Sequence, residues 1–166
     1  MIGLFVDVPN VFFNCKRKLG GRLNYESLWE YIKDSEEGPI TRAFAYGSQI
    51  NDEATPFIHC LKHIGFECKW QILQPYEKAG EVKFRHADLG VMIAMDVVRN
   101  IERIETLVLV TSDPSAVPLV EWAKERGVRV VIVGARVSNQ LKAVATRWFE
   151  IDSTFVEVPD ATSEKS

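Results

Sequence analysis

A chain of 166 residues, 46% apolar and 26% charged, is sized and composed for one globular domain with its own core. Its formal net charge of −3 argues against a protein that coats nucleic acid through bulk positive charge, but not against a local basic rim beside an acidic pocket. No apolar run reaches the roughly 18 residues of a membrane span, and MIGLFVDVPN lacks the basic region of a signal peptide, so a cytoplasmic protein is expected.

Residues 2–7, IGLFVD, read as a buried strand ending at Asp7, with Pro9 and Asn10 breaking it. Val11, Phe12, Phe13 and Cys15 open a first helix or irregular turn, followed by the basic run Lys16, Arg17, Lys18. Residues 25–32 are helical, with Leu28, Trp29 and Ile32 on one face. Residues 41–46 form a second strand, 53–64 a helix closed by Gly65, and 66–73 a third strand. The polar segment 74–85 is a loop or hairpin, and 86–100 a strongly apolar helix. A strand over 106–111 precedes a helix from Pro114 to Arg126, and the apolar run 128–133 is another strand. Ser138 caps a helix to about Arg147, residues 148–151 form a last short strand, and 157–166 are a polar tail after a domain spanning 1–156. Strands alternating with helices predict an α/β domain with a parallel sheet covered on both faces.

Chemistry in such a sheet collects at the carboxyl ends of strands, beside helix N-termini. Asp7 and Asp113 both occupy strand ends, and two such carboxylates suggest a divalent-cation site. Asp7 and Asn10, three apart in a tight turn, can face one cation, because magnesium takes oxygen ligands and keeps several waters. Asp113 before Pro114 is equally suited to cap a helix, and one oxygen can cap while the other faces a pocket. Thr111 and Ser112 offer hydroxyls to a metal-bound water or a phosphate. Asp88 and Asp96 on the apolar helix stand about 80° apart around its axis and ~12 Å along it, so both cannot easily ligate one ion. Asp96, flanked by Met95 and Val97, is expected to be buried and to need a partner such as Arg99, a backbone donor or a metal.

Other chemistries lack their motifs. Cys15, Cys60 and Cys68 form no CxxC pair, and His59 and His63 have no HExxH context, so the cysteines read as reduced packing residues and zinc is not expected. No P-loop, GxGxxG or GxSxG follows a strand, which disfavours a nucleotide cofactor and a serine hydrolase. Asp7-Val8-Pro9-Asn10 lacks the second Asp and the Thr of haloacid-dehalogenase-like phosphatases.

Three segments in order resemble a known family. FVDVPN resembles the first-strand motif of NYN domains, the LabA/DUF88 branch of the PIN-like nuclease superfamily, with Asp7 and Asn10 as its polar positions. LVLVTSDPSAVPLVEWAKERGVRVVIVG resembles the family's core V-S-G-D-x-D-F-x-P-L and the helix, Gly and strand after it. SNQLKAVATRWFEID resembles its closing motif through Ser138, Leu141, Ala145, Phe149 and Asp152. The resemblance covers residues 2–152 and implies a PIN-like three-layer α/β/α sandwich with a central, mostly parallel sheet, and Mg²⁺- or Mn²⁺-dependent cleavage of RNA. It assigns catalytic roles to Asp7, Asn10, Asp96 and Asp113, and metal ligation to Asp7 and Asp113 with Asp88 as a substitute ligand. Ser112, Lys16, Arg85 and Arg136 are the expected substrate contacts, joined by Arg17, Lys18, Lys83 and His86. The chain departs from the pattern where the family's second acid falls on Ser115, its aromatic on Ala116, and a further acid on Gly90. The alternative is a catalytically silent domain that binds RNA or a protein partner, or forms a homodimer. The tryptophans sit mostly at core spacings, and no base-stacking role is read from them.

Overall fold

A computed structural model describes residues 1–85 and 88–158. The apolar runs become strands and the amphipathic stretches become helices, in the order β1 (Ile2–Asp7), α1 (Val8–Leu19), β2 (Arg22–Leu23), α2 (Tyr25–Ser35), β3 (Ile40–Gln49), α3 (Thr55–Ile64) and β4 (Glu67–Ile72). There follow β5 (Pro75–Lys78), β6 (Glu81–Phe84), α4 (Leu89–Asn100), β7 (Thr106–Val110), α5 (Val117–Glu125), β8 (Arg129–Gly134), α6 (Asn139–Val144), β9 (Arg147–Glu150) and β10 (Val156–Glu157). Six strands form the central sheet in the order β4-β3-β1-β7-β8-β9, and every pairing in it is parallel.

Alternation within the strands divides the core. Leu4, Val6, Ala45, Val108, Val110, Val131 and Val133 face α1, α2 and α3, whose Val11, Cys15, Leu28, Ile32 and Leu61 pack on them. Phe5, Phe44, Tyr46, Leu107, Leu109, Val130 and Ile132 face α4, α5 and α6, through Leu89, Ile93, Val97, Val120, Ala123 and Leu141. Two buried faces explain why the central strands read as continuous apolar runs. The molecule is therefore the three-layer α/β/α sandwich, with a central sheet that is parallel throughout.

Two local outcomes differ from the sequence reading. Pro9 and Asn10 do end β1, but they also lie in the first turn of α1, which begins at Val8 with Asp7 as its N-cap. Proline is tolerated there because its missing N–H would have no helical partner. The segment 74–85 takes the hairpin of its two expected forms, β5 antiparallel with β6. A second antiparallel pair, β2 with β10, clasps residues 22–23 to 156–157 and was not expected. Trp148 is 42% exposed, and Lys142 lies over its ring at 4.2 Å. No helix among the described residues is long and apolar enough to cross a membrane.

Strand order places the site. The chain builds outward from β1 to β3 and β4 on one side, and to β7, β8 and β9 on the other. The order reverses between β1 and β7, and at such a switch point the loops part and leave a crevice beyond the strand ends.

Candidate functional site

That crevice is a cleft of about 900 Å³, lined by Asp7 and Asn10 after β1, Thr111, Asp113 and Ser115 after β7, and Asp88, Leu89 and Gly90 at the start of α4. Its floor is apolar, formed by Phe5, Leu109 and Ile93.

Each aspartate there is held by one oxygen. Asp7 accepts from the Asn10 backbone N–H at 3.3 Å, Asp113 from that of Ser115 at 2.9 Å, and Asp88 from that of Val91 at 3.3 Å. All three are N-caps, which is the local reason that they occupy these positions, and each keeps its other oxygen outside these cap bonds. Cap and cleft wall are thus compatible in the same side chain.

Asn10 joins the two strand ends. Its Oδ1 accepts from the Ser112 backbone N–H at 2.9 Å and from Asn14 Nδ2 at 3.3 Å. The Asp113 backbone N–H donates in turn to Thr111 Oγ1 at 3.2 Å. Asn10 therefore fixes the spacing between Asp7 and Asp113, and its amide oxygen is already committed.

Partial burial lifts the Asp7 carboxyl above its ordinary range. The Asn10 N–H counteracts this, and the negative charge of Asp113 adds to the rise. A carboxylate whose ionisation is made costlier by burial and by a neighbouring negative charge marks a place where a cation is stabilising. A folded-state value above the unfolded one means that ionised Asp7 weakens the fold, with stability falling as pH rises through that window. Asp7→Asn retains a good cap and removes the charge, so in EDTA at pH 7 its Tm is expected to exceed the parent's by ~2 °C, with the gap closing near pH 3.5. Thermal melts at both pH values measure this.

Several sequence-predicted residues lie elsewhere. Asp96 is 4% exposed and accepts from Tyr46 Oη at 2.8 Å, Lys69 Nζ at 2.7 Å and Arg99 at 3.1 Å. It borders a separate cleft with Arg42, Lys69 and Arg103, so it lies in an ion-pair network apart from Asp7 and Asp113. Burial alone would raise its pKa, but the bonds from Lys69, Tyr46 and Arg99 outweigh it and hold the carboxyl below its ordinary value. Ser112 offers the cleft no hydroxyl. Its Oγ is buried without a hydrogen-bond partner and lies against Gly134, where an added Cβ would meet it. Lys16 is exposed beside the Phe12 ring, and Arg85 is exposed at the end of β6; neither lines the cleft. Arg136 lines another cleft, described below. His86 lies outside the described residues.

The two vacant acid positions do face the cleft. Gly90 and Ser115 are both in its lining, and a Cβ on Gly90 would meet only Asp88 Oδ1, at 3.6 Å. Asp88 precedes α4 with non-helical dihedrals, so the helical-wheel angle drawn between it and Asp96 does not apply to it. Phe13, 63% exposed on the cleft rim, is a lining residue the sequence reading did not single out. Its spacing of three from Asn10, on one helix face, is the signal that could have found it.

Whether a divalent ion suits this donor set can be judged from its chemistry. Among the described residues no three His, Cys, Asp or Glu side chains converge tightly enough to hold a metal by themselves. Magnesium is commonly held by one or two carboxylates, with waters and substrate phosphate completing its shell. Asp7 and Asp113 fit that reduced set, for one ion.

The comparisons agree with this fold. A crystal structure of a protein of unknown function from Vibrio parahaemolyticus RIMD 2210633 matches with a TM-score of 0.79 and 26% identity, over 94% of this chain and 95% of that one. A search of curated proteins returned no match. The family model described as NYN domain matches residues 1–152. The chain belongs to the NYN domain family, within the PIN-like nuclease superfamily.

Proposed function

We propose that this protein is a divalent-metal-dependent ribonuclease whose single cation site is formed by Asp7 and Asp113. NYN and PIN-like nucleases are generally divalent-metal dependent and act on RNA. The observation that carries the reading is the placement of both aspartates in one cleft at the β1/β7 switch point. Mg²⁺ or Mn²⁺ bound there supplies Lewis-acid stabilisation of the charge that develops on a scissile phosphodiester. Asp7 and Asp113 would hold it through the oxygens their caps leave over. Asn10 keeps them at a fixed separation, and the apolar floor lowers the local dielectric. Phe13 offers an exposed ring on which a base can stack.

A second reading, a catalytically silent domain that binds RNA or a protein partner, draws on Gly90 and Ser115 standing where the family's pattern has acids. One experiment separates them. Purified protein with 5 mM Mn²⁺ is expected to cut a labelled single-stranded RNA, and Asp7→Asn to abolish cleavage. Absence of cutting by the parent, with cutting gained by Gly90→Asp, Ser115→Asp, would instead identify a silent pocket. In the ribonuclease reading the same double variant raises Mn²⁺ affinity by ~10-fold or more, because carboxylate number tunes the affinity of hard-cation sites. Isothermal titration measures it.

A further inference from the structure

A second cleft, of about 690 Å³, opens further along α1 and carries the opposite charge. Arg17, Lys18, Arg136 and Lys142 line it, against the single carboxylate of Glu150. That is four cations to one anion in a chain of net charge −3. Lys18 Nζ donates to the Ala135 backbone oxygen at 2.7 Å and to Glu150 at 3.1 Å, while Lys142 pairs with Glu150 at 3.2 Å. Glu150 thus holds both ammonium groups at the cleft wall. The lysine bonds outweigh the effect of its burial and keep its carboxyl ionised. Among the described residues, the guanidinium groups of Arg17 and Arg136 have no side-chain or backbone acceptor, and both are exposed at the opening.

The two clefts are linked by one helix face. Asn10 lines the acidic cleft, Asn14 the basic one, and Asn14 Nδ2 donates to both the backbone oxygen of Asn10 at 2.8 Å and its side-chain oxygen at 3.3 Å. Positions 10, 14, 17 and 18 recur at helical spacing, so Arg17 stands about 10 Å along the axis from Asn10. A polyanion with one phosphate beside Asp7 and Asp113 would meet Arg17 and Arg136 next along this face. Unpaired guanidinium groups suit phosphate oxygens, and contacts of this kind fix register without reading bases.

We infer that the Arg17–Arg136 cleft is a phosphodiester-backbone subsite that holds the RNA strand beyond the linkage lying between Asp7 and Asp113. The assignment rests on the ribonuclease reading for its polymer, and Lys18 and Lys142, already committed to Glu150, build the wall rather than grip the strand.

The test is fluorescence anisotropy of a 5′-labelled 12-nucleotide RNA with the full chain in EDTA, where no cutting occurs, across 50–300 mM salt. Arg17→Ala, Arg136→Ala is expected to weaken binding by ~10-fold or more at low salt and to flatten the log–log salt slope by about 1–2, the signature of lost phosphate contacts. Arg17→Lys, Arg136→Lys should keep the slope, because the charge remains. Parent-like affinity and slope in the double alanine variant would overturn the inference while leaving the ribonuclease reading standing. No RNA binding or cutting by the parent would overturn that reading and the inference with it. Inorganic phosphate provides the remaining arm: displacement of the RNA only at tens of millimolar supports a polymer site, and displacement at micromolar phosphate would assign the cleft to a free anion and overturn it.

Discussion

Asp113→Asn is expected to lower Mn²⁺-dependent RNA cleavage at least ~100-fold, with Tm remaining within about 2 °C of the parent's. Asparagine caps as well as aspartate, so it can still accept from the Ser115 N–H and preserve the turn that opens α5. What it lacks is the charge that holds the cation. A hundredfold loss corresponds to about 2.7 kcal/mol of barrier, within the several kcal/mol that a metal contributes to charge stabilisation in the transition state. Rates measured over a Mn²⁺ series separate the cases: a loss that high Mn²⁺ recovers reflects weakened binding, and cleavage equal to the parent's at every concentration would remove Asp113 from the site.

Asp96→Ala is expected to have the largest effect on stability. The change leaves the buried Tyr46 hydroxyl without its acceptor and Lys69, 30% exposed, without its counter-charge. Removing one member of a buried ionic network costs roughly 3–5 kcal/mol, reduced here to ~2–4 because Lys69 and Arg99 reach water. For a chain of this size that lowers Tm by ~6–12 °C. The folded carboxyl lies below its unfolded value of about 3.9, so its contribution is complete above that pH and is lost as pH falls through the lower folded value. Parent and variant should therefore converge toward pH 2–3 in thermal melts. Because Asp96 borders a different cleft, cleavage measured below the variant's Tm should stay near the parent's.

The architecture was legible because its causes are local. Runs such as Leu107–Val110 and Val130–Val133 are apolar throughout because both faces of the sheet are covered, and Gly65 and Gly127 mark helix ends in the left-handed region of φ. The β2–β10 clasp was not legible, since two residues a side leave no periodic signal and the partners lie more than 130 positions apart.

The site divides along the same line. Asp7 and Asp113 stood out because a strand end is a local feature, and the family pattern has acids at the positions of Gly90 and Ser115, both of which line the cleft. Asp96 was recognisable as buried and in need of a partner, but of its partners only Arg99 is a sequence neighbour. Tyr46 and Lys69 arrive from β3 and β4. The direction of the Ser112 hydroxyl was hidden for a related reason, because it depends on Gly134 in the neighbouring strand. Asp88 was placed on a helical wheel, whereas it is the cap outside the helix.

The most direct test of the account is the anomalous scattering of a crystal equilibrated with Mn²⁺. The account predicts one peak in the β1/β7 cleft, coordinated by carboxylate oxygens of both Asp7 and Asp113 and lost in Asp113→Asn. A cleft without a peak at saturating Mn²⁺ and bound RNA, or a peak that touches neither aspartate, would contradict it.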